Sequence, residues 1–259
     1  MSPLPLPLAQ LDESFFRDRS DSDCIADNGA FCVQWVIDNF GDRYVTPLLE
    51  HLVLVFVSVA LGFLIAFGMS LLSHRRRWLV PPFIGVTGVL YTIPSLAFFF
   101  LLLPITGRGT DTAIIALTAY NLQIIYRNLV AGLANVPAEA KDAGRGMGMT
   151  DRQLLWRVEL PLSVPEIVAG LRIATVSTVA IATLAVFAGG GGLGEQLVGS
   201  NLTFKTNVLV VAVLAIGLAV IFDLLLLAAQ RRLTRWQRRD ERGSGRGVVF
   251  RRRAAWSGG

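Results

Sequence analysis

The chain has 259 residues, of which 53% are hydrophobic and only 17% are charged, and its mean hydropathy is +0.55. A soluble domain would carry about 25% charged residues, so the composition excludes an ordinary soluble globular protein and indicates a membrane protein. The net charge of +5 collects beside the apolar runs, which favours contact with anionic membrane lipids and not with nucleic acid.

Residues 1–50 are predicted to form an external N-terminal segment that is rich in acidic side chains. It contains the two cysteines of the chain, Cys24 and Cys32. Disulfides form on the external side of a membrane. The sequence is compatible with a local disulfide between these cysteines and equally with two free thiols.

Five apolar stretches follow, each near the roughly 20 residues that a helix needs to cross the hydrocarbon core. They are 52–72, 79–105, 112–131, 166–188 and 207–229. Basic residues follow the first and fifth stretches and lie between the third and fourth, so the positive-inside rule places the N-terminus outside and the C-terminus in the cytoplasm. The sequence therefore predicts an all-α, multi-pass helix bundle of about five transmembrane helices in the cell membrane, with a transmembrane domain over residues 51–230. Residues 231–259 are predicted to be a basic, disordered cytoplasmic tail.

Small residues recur every fourth position in two of these stretches, which predicts close packing between helices. The two rows are Ser58, Gly62, Ala66 and Ser70 in the first stretch, and Gly170, Ala174, Thr178 and Ala182 in the fourth. Arg172 and Asp223 lie near inner helix ends and are interpreted as structural charges, paired with charges of the loops.

A proline interrupts the second stretch, in the run Tyr91-Thr92-Ile93-Pro94-Ser95. Proline removes a backbone hydrogen bond, so a kink or break is expected, and the freed carbonyls must face protein or a water-filled cavity. Tyr91, Thr92, Pro94 and Ser95, with Asn121 of the third stretch, are therefore candidates for the lining of a translocation path. A purely structural kink, and an Asn121 that bonds between helices, are the alternatives.

The run from Gly189 to Gly194 formally matches GxGxxG, but a dinucleotide fingerprint needs a preceding strand, and here an apolar helix precedes it. A flexible turn or a short re-entrant segment is the better interpretation. Neither a phosphate-binding GxxxxGK[ST] loop nor a metal-ligand spacing nor a catalytic arrangement is found. We therefore expect no catalytic residue, no metal and no cofactor on this chain.

A polar loop over residues 135–165 joins the third and fourth stretches. Asn135 is predicted to cap a first short helix, Gly148 to supply a break or a left-handed turn, and Thr150 to open a second helix with a capping box. The second helix would carry an apolar side made of Leu154, Leu155 and Val158 and would end at Leu160-Pro161. A further capping box, Ser163 to Glu166, is predicted to open the fourth stretch.

The spacing in this loop is Asp142-Ala143-Gly144, three residues, Gly148, nine residues, then Val158-Glu159-Leu160-Pro161. It resembles the EAA loop of type I ABC importer permeases, in which E-A-A is followed by three residues, G, nine residues and I-x-L-P. The resemblance implies that the loop is a coupling helix which docks on a separate ATPase. The implied coupling positions are Asp142, Ala143, Gly144, Gly148, Leu160 and Pro161, to which the apolar side adds Leu154, Leu155 and Val158.

Three segments are similar to the osmoprotectant branch, which imports glycine betaine, choline, carnitine or proline: Tyr91 to Phe98, Arg145 to Thr150, and Val158 to Leu162. The resemblance implies partner ATPase subunits that use ATP and magnesium, a second permease, identical or paralogous, and an external substrate-binding protein. The chain itself would be a transport subunit and not an enzyme. The alternatives are a permease for another small solute, such as an amino acid, and a membrane scaffold or receptor whose loop binds a signalling partner.

Overall fold

The computed structural model describes residues 24–29, 31–199 and 204–234, and within these ranges its regular elements are helices. The α-helices used below are α1 (Val33–Phe40), α2 (Thr46–Arg75), α3 (Val80–Thr92), α4 (Ser95–Thr106), α5 (Thr110–Ala134), α6 (Ala138–Gly146), α7 (Asp151–Leu154), α8 (Leu160–Ala182), α9 (Gly194–Gly199) and α10 (Lys205–Leu233). Shorter π-helical segments (Gly41–Val45 and Leu155–Glu159) and 3-10 segments (Arg77–Leu79 and Ala185–Ala188) connect some of them. Of the predicted N-terminal segment, residues 1–23 and 30 lie outside the described residues. Of the tail predicted over 231–259, the first residues belong to helix α10, which continues to Leu233, and residues 235–259 lie outside the described residues.

Three of the described helices are long and apolar enough to cross a membrane, and the number rises to four if a bent pair counts as one span. They are Val33–Arg75, Asp151–Ala182 and Lys205–Leu233, with the bent pair Arg77–Thr92 and Ser95–Thr106. The third predicted span forms the 25-residue helix α5, whose polar residues keep it out of this group. The count of five spans and the orientation of the termini remain predictions.

The helix break predicted at Pro94 is present. Helix α3 ends at Thr92, and Ile93 takes an extended conformation with φ −67° and ψ 127° before α4 begins at Ser95. The hydroxyl of Tyr120 donates a hydrogen bond to the carbonyl of Ile93. A carbonyl that the break leaves without a helical partner is thus satisfied by a side chain, as an apolar environment requires.

The fourth span differs from its prediction. Leu160-Pro161 does not end a helix, because residues 151–182 form one continuous helix of 32 residues. The N–H of Leu160 bonds to the carbonyl of Leu155, a wide turn that eases the clash a proline makes with the preceding turn. The Ser163 hydroxyl bonds to the Leu160 carbonyl within the same helix, so the predicted second capping box is wrong.

Contacts divide the chain into two compact units, each with its own core. The first comprises 1–56, 95–116 and 179–218, and Tyr44, Leu193 and Val211 are fully buried in it. In this unit Gly189, Gly191 and Gly192 take φ values of +79°, +74° and +83°. Such values suit the turn that was predicted there.

The second unit comprises 57–94, 117–178 and 219–259, and its core contains Ala66, Ile125, Tyr126 and Ala174. The predicted rows of small residues, apart from Ala182, lie in this unit. A Cβ on Gly62 would lie 2.7 Å from the Asn121 Cβ, and one on Gly170 would lie 2.5 Å from the Asn128 Cβ. The glycines therefore let backbones approach where a larger residue would clash.

The partners of Arg172 and Asp223, which lie in the second unit, also differ from the prediction. Arg172 of α8 donates two hydrogen bonds of 2.9 Å to the carboxylate of Asp223 of α10. A third contact joins the guanidinium to Gln230 at 3.5 Å. The two charges therefore neutralise each other between helices and are not paired with loop charges, because their positions bring them face to face.

Candidate functional site

The polar segment between α5 and α8 forms two short helices joined by a tight turn. Helix α6 begins at Ala138, with Pro137 and not Asn135 at its N-cap. At its end, the Gly148 N–H bonds to the Arg145 carbonyl and the Met149 N–H bonds to the Gly144 carbonyl. Gly148 has φ +76°. These two bonds and the left-handed glycine make a Schellman motif, which satisfies the last carbonyls of the helix.

The second helix begins with the predicted capping box. The Thr150 N–H bonds to the Gln153 Oε1 at 2.9 Å, and the Gln153 N–H bonds to the Thr150 Oγ1 at 3.4 Å. Helix α7 then continues through the π-helical segment into α8. The segment is therefore stiff at its turn and rigidly joined to a long helix, so a force applied to it would reach α8 directly.

Gly144 lies at the contact between the two short helices. A Cβ at Gly144 would lie 2.6 Å from the Leu154 Cδ1 and 3.7 Å from the Val158 Cγ2. Gly144 itself is buried. The third position of the motif is therefore small because the second helix packs directly on it.

The apolar side of the second helix is not on the surface, which corrects the expectation that it docks a partner. Leu154 is 2% exposed, and Leu155 and Leu160 pack in a cluster with Leu133 of α5. These side chains hold the segment against the chain itself. Val158 is half-buried against Gly144, and Pro161 lies inside the continuous helix. These apolar side chains have a lower free energy when they are buried inside the bundle than when they are exposed to water.

Other side chains of the segment are exposed. Met147 is 70% exposed and Trp156 is 51% exposed. Asp142, Ala143, Gly148, Gln153 and Arg157 are exposed as well. The Asp142 Oδ1 lies 3.5 Å from the Nη1 of Arg145. The sequence analysis missed Met147 and Trp156. Trp156 lies two residues from Leu154, about 200° around a helix, and this offset is the signal that could have identified it.

A carboxylate in the segment contacts the end of the first long helix. Glu159 is only 4% exposed, and its Oε2 lies 3.2 Å from the Nε2 of His74 in the last turn of α2. The sequence analysis did not identify this pair. The spacing between these residues along the chain holds no periodic signal that could have revealed the pair.

The candidates for a translocation path fall into two groups. Tyr91, Thr92 and Pro94 are exposed at the helix break, and the Tyr91 ring meets the Tyr120 ring edge-on at 5.8 Å. Asn121 is instead 1% exposed and accepts a hydrogen bond of 2.8 Å from Thr178. Asn121 thus bonds between helices, as the alternative interpretation had it. Ser95, half-buried at the start of α4, belongs to the other compact unit.

Cys24 and Cys32 are joined by a disulfide, and the loop that it closes contacts the start of α10. The Lys205 N–H bonds to the Asn28 Oδ1 at 3.0 Å, and the Cys32 N–H bonds to the Thr206 Oγ1 at 3.1 Å. The disulfide loop therefore caps the start of α10, because Asn28 accepts from the Lys205 N–H, one of the N–H groups that the first turn of a helix leaves free.

Within the described ranges, no group of three or more His, Cys, Asp or Glu side chains could hold a metal ion.

Comparison with known proteins supplies the context. The model of a family described as "Binding-protein-dependent transport system inner membrane component" matches residues 51–238. The choline transport system permease protein OpuBB of Bacillus subtilis is 36% identical over 203 residues, which are 78% of this chain and 93% of that protein. The glycine betaine/carnitine/choline permease OpuCB of the same organism is 36% identical over 186 residues, 71% of this chain and 86% of that protein. The osmoprotectant import permease OsmW of Salmonella typhimurium is 35% identical over 209 residues, with coverages of 78% and 96%.

Solved structures show the same fold. An inward-facing MetNI methionine ABC transporter matches with a TM-score of 0.63 at 24% identity, over 73% of this chain and 95% of that one. A chain of an amino acid ABC transporter with histidines matches with a TM-score of 0.61 at 19% identity, over 76% and 97%. The predicted all-α fold of an ABC importer transmembrane domain is thereby confirmed.

Proposed function

The chain belongs to the family of binding-protein-dependent transport system inner membrane components, multi-pass permeases of ABC importers, and we propose that it imports an osmoprotectant with energy from a separate ATPase. The substrate would be a small quaternary ammonium or related solute, such as choline, glycine betaine, carnitine or proline. The names of the relatives above, which match most of the chain, support this substrate class.

The packing of the two-helix segment is the observation that supports the coupling role. Gly144, Leu154 and Leu155 fix the segment to the chain from inside, and the Schellman turn at Gly148 keeps the helices at a set angle. Met147, at the tip of the turn, is left largely exposed. A stiff helical projection of this kind suits insertion into a cleft on a soluble partner.

In this proposal the partner is an ATPase that binds ATP and magnesium, so the chain binds no cofactor itself. Closure of two such ATPases would draw the segments of two permeases together and rock the helices between inward- and outward-facing states. The second permease is identical or a paralogue, and an external substrate-binding protein delivers the solute. Asp142, Ala143 and Gly148 are the motif positions that stay exposed for docking.

The solute would pass the helix break. Tyr91, Thr92, Pro94 and Ser95 are proposed as path residues because irregular backbone in a membrane is tolerated where it lines a cavity. The exposed face of the Tyr91 ring could also attract a quaternary ammonium group.

A photo-crosslinking experiment tests the coupling role. A photoreactive amino acid is placed at Met147 and, as a control, at Phe56, which is equally exposed at 70% but lies within α2. The membranes also contain the candidate partner ATPase. We expect a crosslink to the ATPase from position 147 and none from position 56. Equal crosslinking from both positions, or none from position 147, would contradict the docking role.

Uptake measurements test the substrate class. Cells that lack their other osmoprotectant importers would receive the chain with its partner subunits, and the uptake of labelled choline, glycine betaine, methionine and histidine would be compared. We expect uptake of the quaternary ammonium solutes at high osmolarity. Preferential uptake of methionine or histidine would show that the permease serves ordinary amino acids.

A further inference from the structure

Two adjoining hollows lie in the second compact unit, beside the end of α2. One is a cleft of about 670 Å3 between that helix end and the two-helix segment, and the other is a cavity of about 660 Å3 between the ends of α2 and α5. His74, Arg77 and Lys141 line both of them. The two hollows therefore meet at a shared rim of basic side chains.

The cleft is strongly basic. Five side chains that are always cationic line it, against two carboxylates. The cations are Arg75, Arg77, Lys141, Arg145 and Arg152, and the carboxylates are Asp151 and Glu159. Glu159 is already engaged by His74. Among the described residues, no carboxylate lies within salt-bridge distance of Arg75, Arg77 or Arg152. The cleft thus holds an excess of positive charge that the described chain does not neutralise.

The adjoining cavity has a different character. Its walls include Val80, Pro81, Val130 and Leu133, and it opens toward the basic rim. Ser70 also lines it; the side chain is 1% exposed, and its hydroxyl has no hydrogen-bond partner among the described residues. An apolar cavity with one free donor and a cationic mouth fits an amphipathic anion better than a fully polar one.

The position of the hollows along the chain sets their depth in the membrane. Helix α2 is apolar over most of its length and ends at Arg75, so the basic rim lies where the helix leaves the hydrocarbon. Trp78, three residues on, is 68% exposed. Exposed tryptophans concentrate at the level of lipid headgroups, and anionic lipids are abundant at the cytoplasmic surface.

We propose that these hollows form a binding site for one anionic phospholipid. Its phosphate lies in the basic cleft near Arg77 and Lys141, and the start of one acyl chain lies in the apolar cavity. The Ser70 hydroxyl donates to an ester oxygen of the lipid. The lipid thereby joins the end of α2, the start of α3 and the two-helix segment. A soluble phosphate would satisfy the cations but would leave the apolar cavity without an occupant.

Native mass spectrometry of the full-length chain tests this proposal. The chain is purified in a neutral detergent and mixed with phosphatidylglycerol or phosphatidylcholine of identical acyl chains. We expect one retained phosphatidylglycerol and no comparable retention of phosphatidylcholine. The double variant Arg77→Gln/Lys141→Gln should bind phosphatidylglycerol about 30-fold more weakly, since each cation near an anionic lipid contributes about a factor of five.

Arg76→Gln is the matched control, because Arg76 is exposed between Arg75 and Arg77 but lines neither hollow. It should bind the lipid like the unaltered chain. If Arg76→Gln and the double variant lost equal affinity for phosphatidylglycerol, the lipid would be responding to general surface charge, and the proposal would be overturned. All variants should show the same thermal unfolding without added lipid, which separates loss of binding from loss of fold.

Ala134→Trp tests the apolar half of the site. Ala134 is exposed and lines the cavity, so the indole would fill the cavity and leave every cation in place. We expect weaker retention of phosphatidylglycerol. Unchanged retention in Ala134→Trp, together with efficient competition by inorganic phosphate, would mean that the cleft binds a soluble anion and would overturn the lipid assignment.

Discussion

Gly144 and Leu154 lie so close across the turn of the polar segment that a single methyl group on the glycine would come within 2.6 Å of the leucine Cδ1. Leu154 is buried, so it has little room to move away. This contact decides how the two short helices pack, and it makes Leu154 a folding residue. A charge placed at Leu154 would therefore test folding and not docking on a partner.

Gly144→Ala is expected to destabilise the segment by about 1–3 kcal/mol, the usual cost of overpacking a core. Thermal unfolding of the purified chain in detergent measures the effect. Gly146→Ala is the control, since a Cβ there meets nothing within 4 Å. Combining Gly144→Ala with Leu154→Val should recover part of the loss, because valine lacks the clashing Cδ1 atom. Purely additive effects in this cycle would contradict the contact.

Gly148→Ala isolates the cost of the left-handed turn. Gly148 has φ +76° and open space around its Cα, so any effect of a methyl group is conformational. We expect a destabilisation of about 1–2 kcal/mol and a smaller one for Gly148→Asn, since asparagine tolerates this conformation better. Unfolding in detergent, followed by uptake in membranes, provides the measurement. An equal loss for alanine and asparagine would argue against a left-handed turn.

Arg172 and Asp223 are expected to depend on each other. Arg172→Ala or Asp223→Asn leaves one partner without its bidentate contact, and both should lower the yield of folded chain and its midpoint of thermal unfolding. The exchanged variant Arg172→Asp/Asp223→Arg should recover part of the loss. Arg231→Ala, exposed near the end of the same helix α10, should change little. If the exchanged variant had a lower yield and a lower unfolding midpoint than both single variants, the loss of stability in those variants would not be due to the broken pair.

The disulfide loop is expected to hold the start of α10. Cys24→Ser/Cys32→Ser removes a short covalent loop, whose closure is worth about 2–3 kcal/mol in the chain-entropy description. We expect faster hydrogen exchange at Lys205 and Thr206, whose groups bond to the loop. A reductant should produce the same change in the unaltered chain and no further change in the double variant. Unchanged exchange at these positions would mean that the loop is dispensable as a cap.

Tyr91 and Asn121 should separate transport from stability. Tyr91 is 45% exposed at the helix break, whereas Asn121 is buried and bonded to Thr178. Tyr91→Ala is expected to reduce uptake with little change in unfolding. Asn121→Leu should lower stability, since it removes a hydrogen bond between membrane helices worth about 0.6 kcal/mol and its two methyl groups are bulkier than the amide that packs near Gly62. The reverse pattern would remove Tyr91 from the proposed path.

Local features were predictable from the sequence because their causes lie within a few residues. Hydropathy alone indicated the membrane helices. Pro94 indicated the break in the second span, and the spacing of Thr150 and Gln153 indicated the capping box. Gly148 was assigned a turn because glycine reaches φ values that other residues avoid. Each of these depends on backbone geometry or on contacts with near neighbours in the chain.

Interactions between distant segments were decided by the tertiary structure. Periodicity showed that Leu154, Leu155 and Val158 share one side, but periodicity carries no information on whether that side meets a partner or the chain itself. Pairs such as His74 with Glu159 and Arg172 with Asp223 join residues far apart in sequence, so no local pattern specifies them. The sequence by itself thus determined the helices and the motif, whereas only the packed structure decided which face of the motif is left for another molecule.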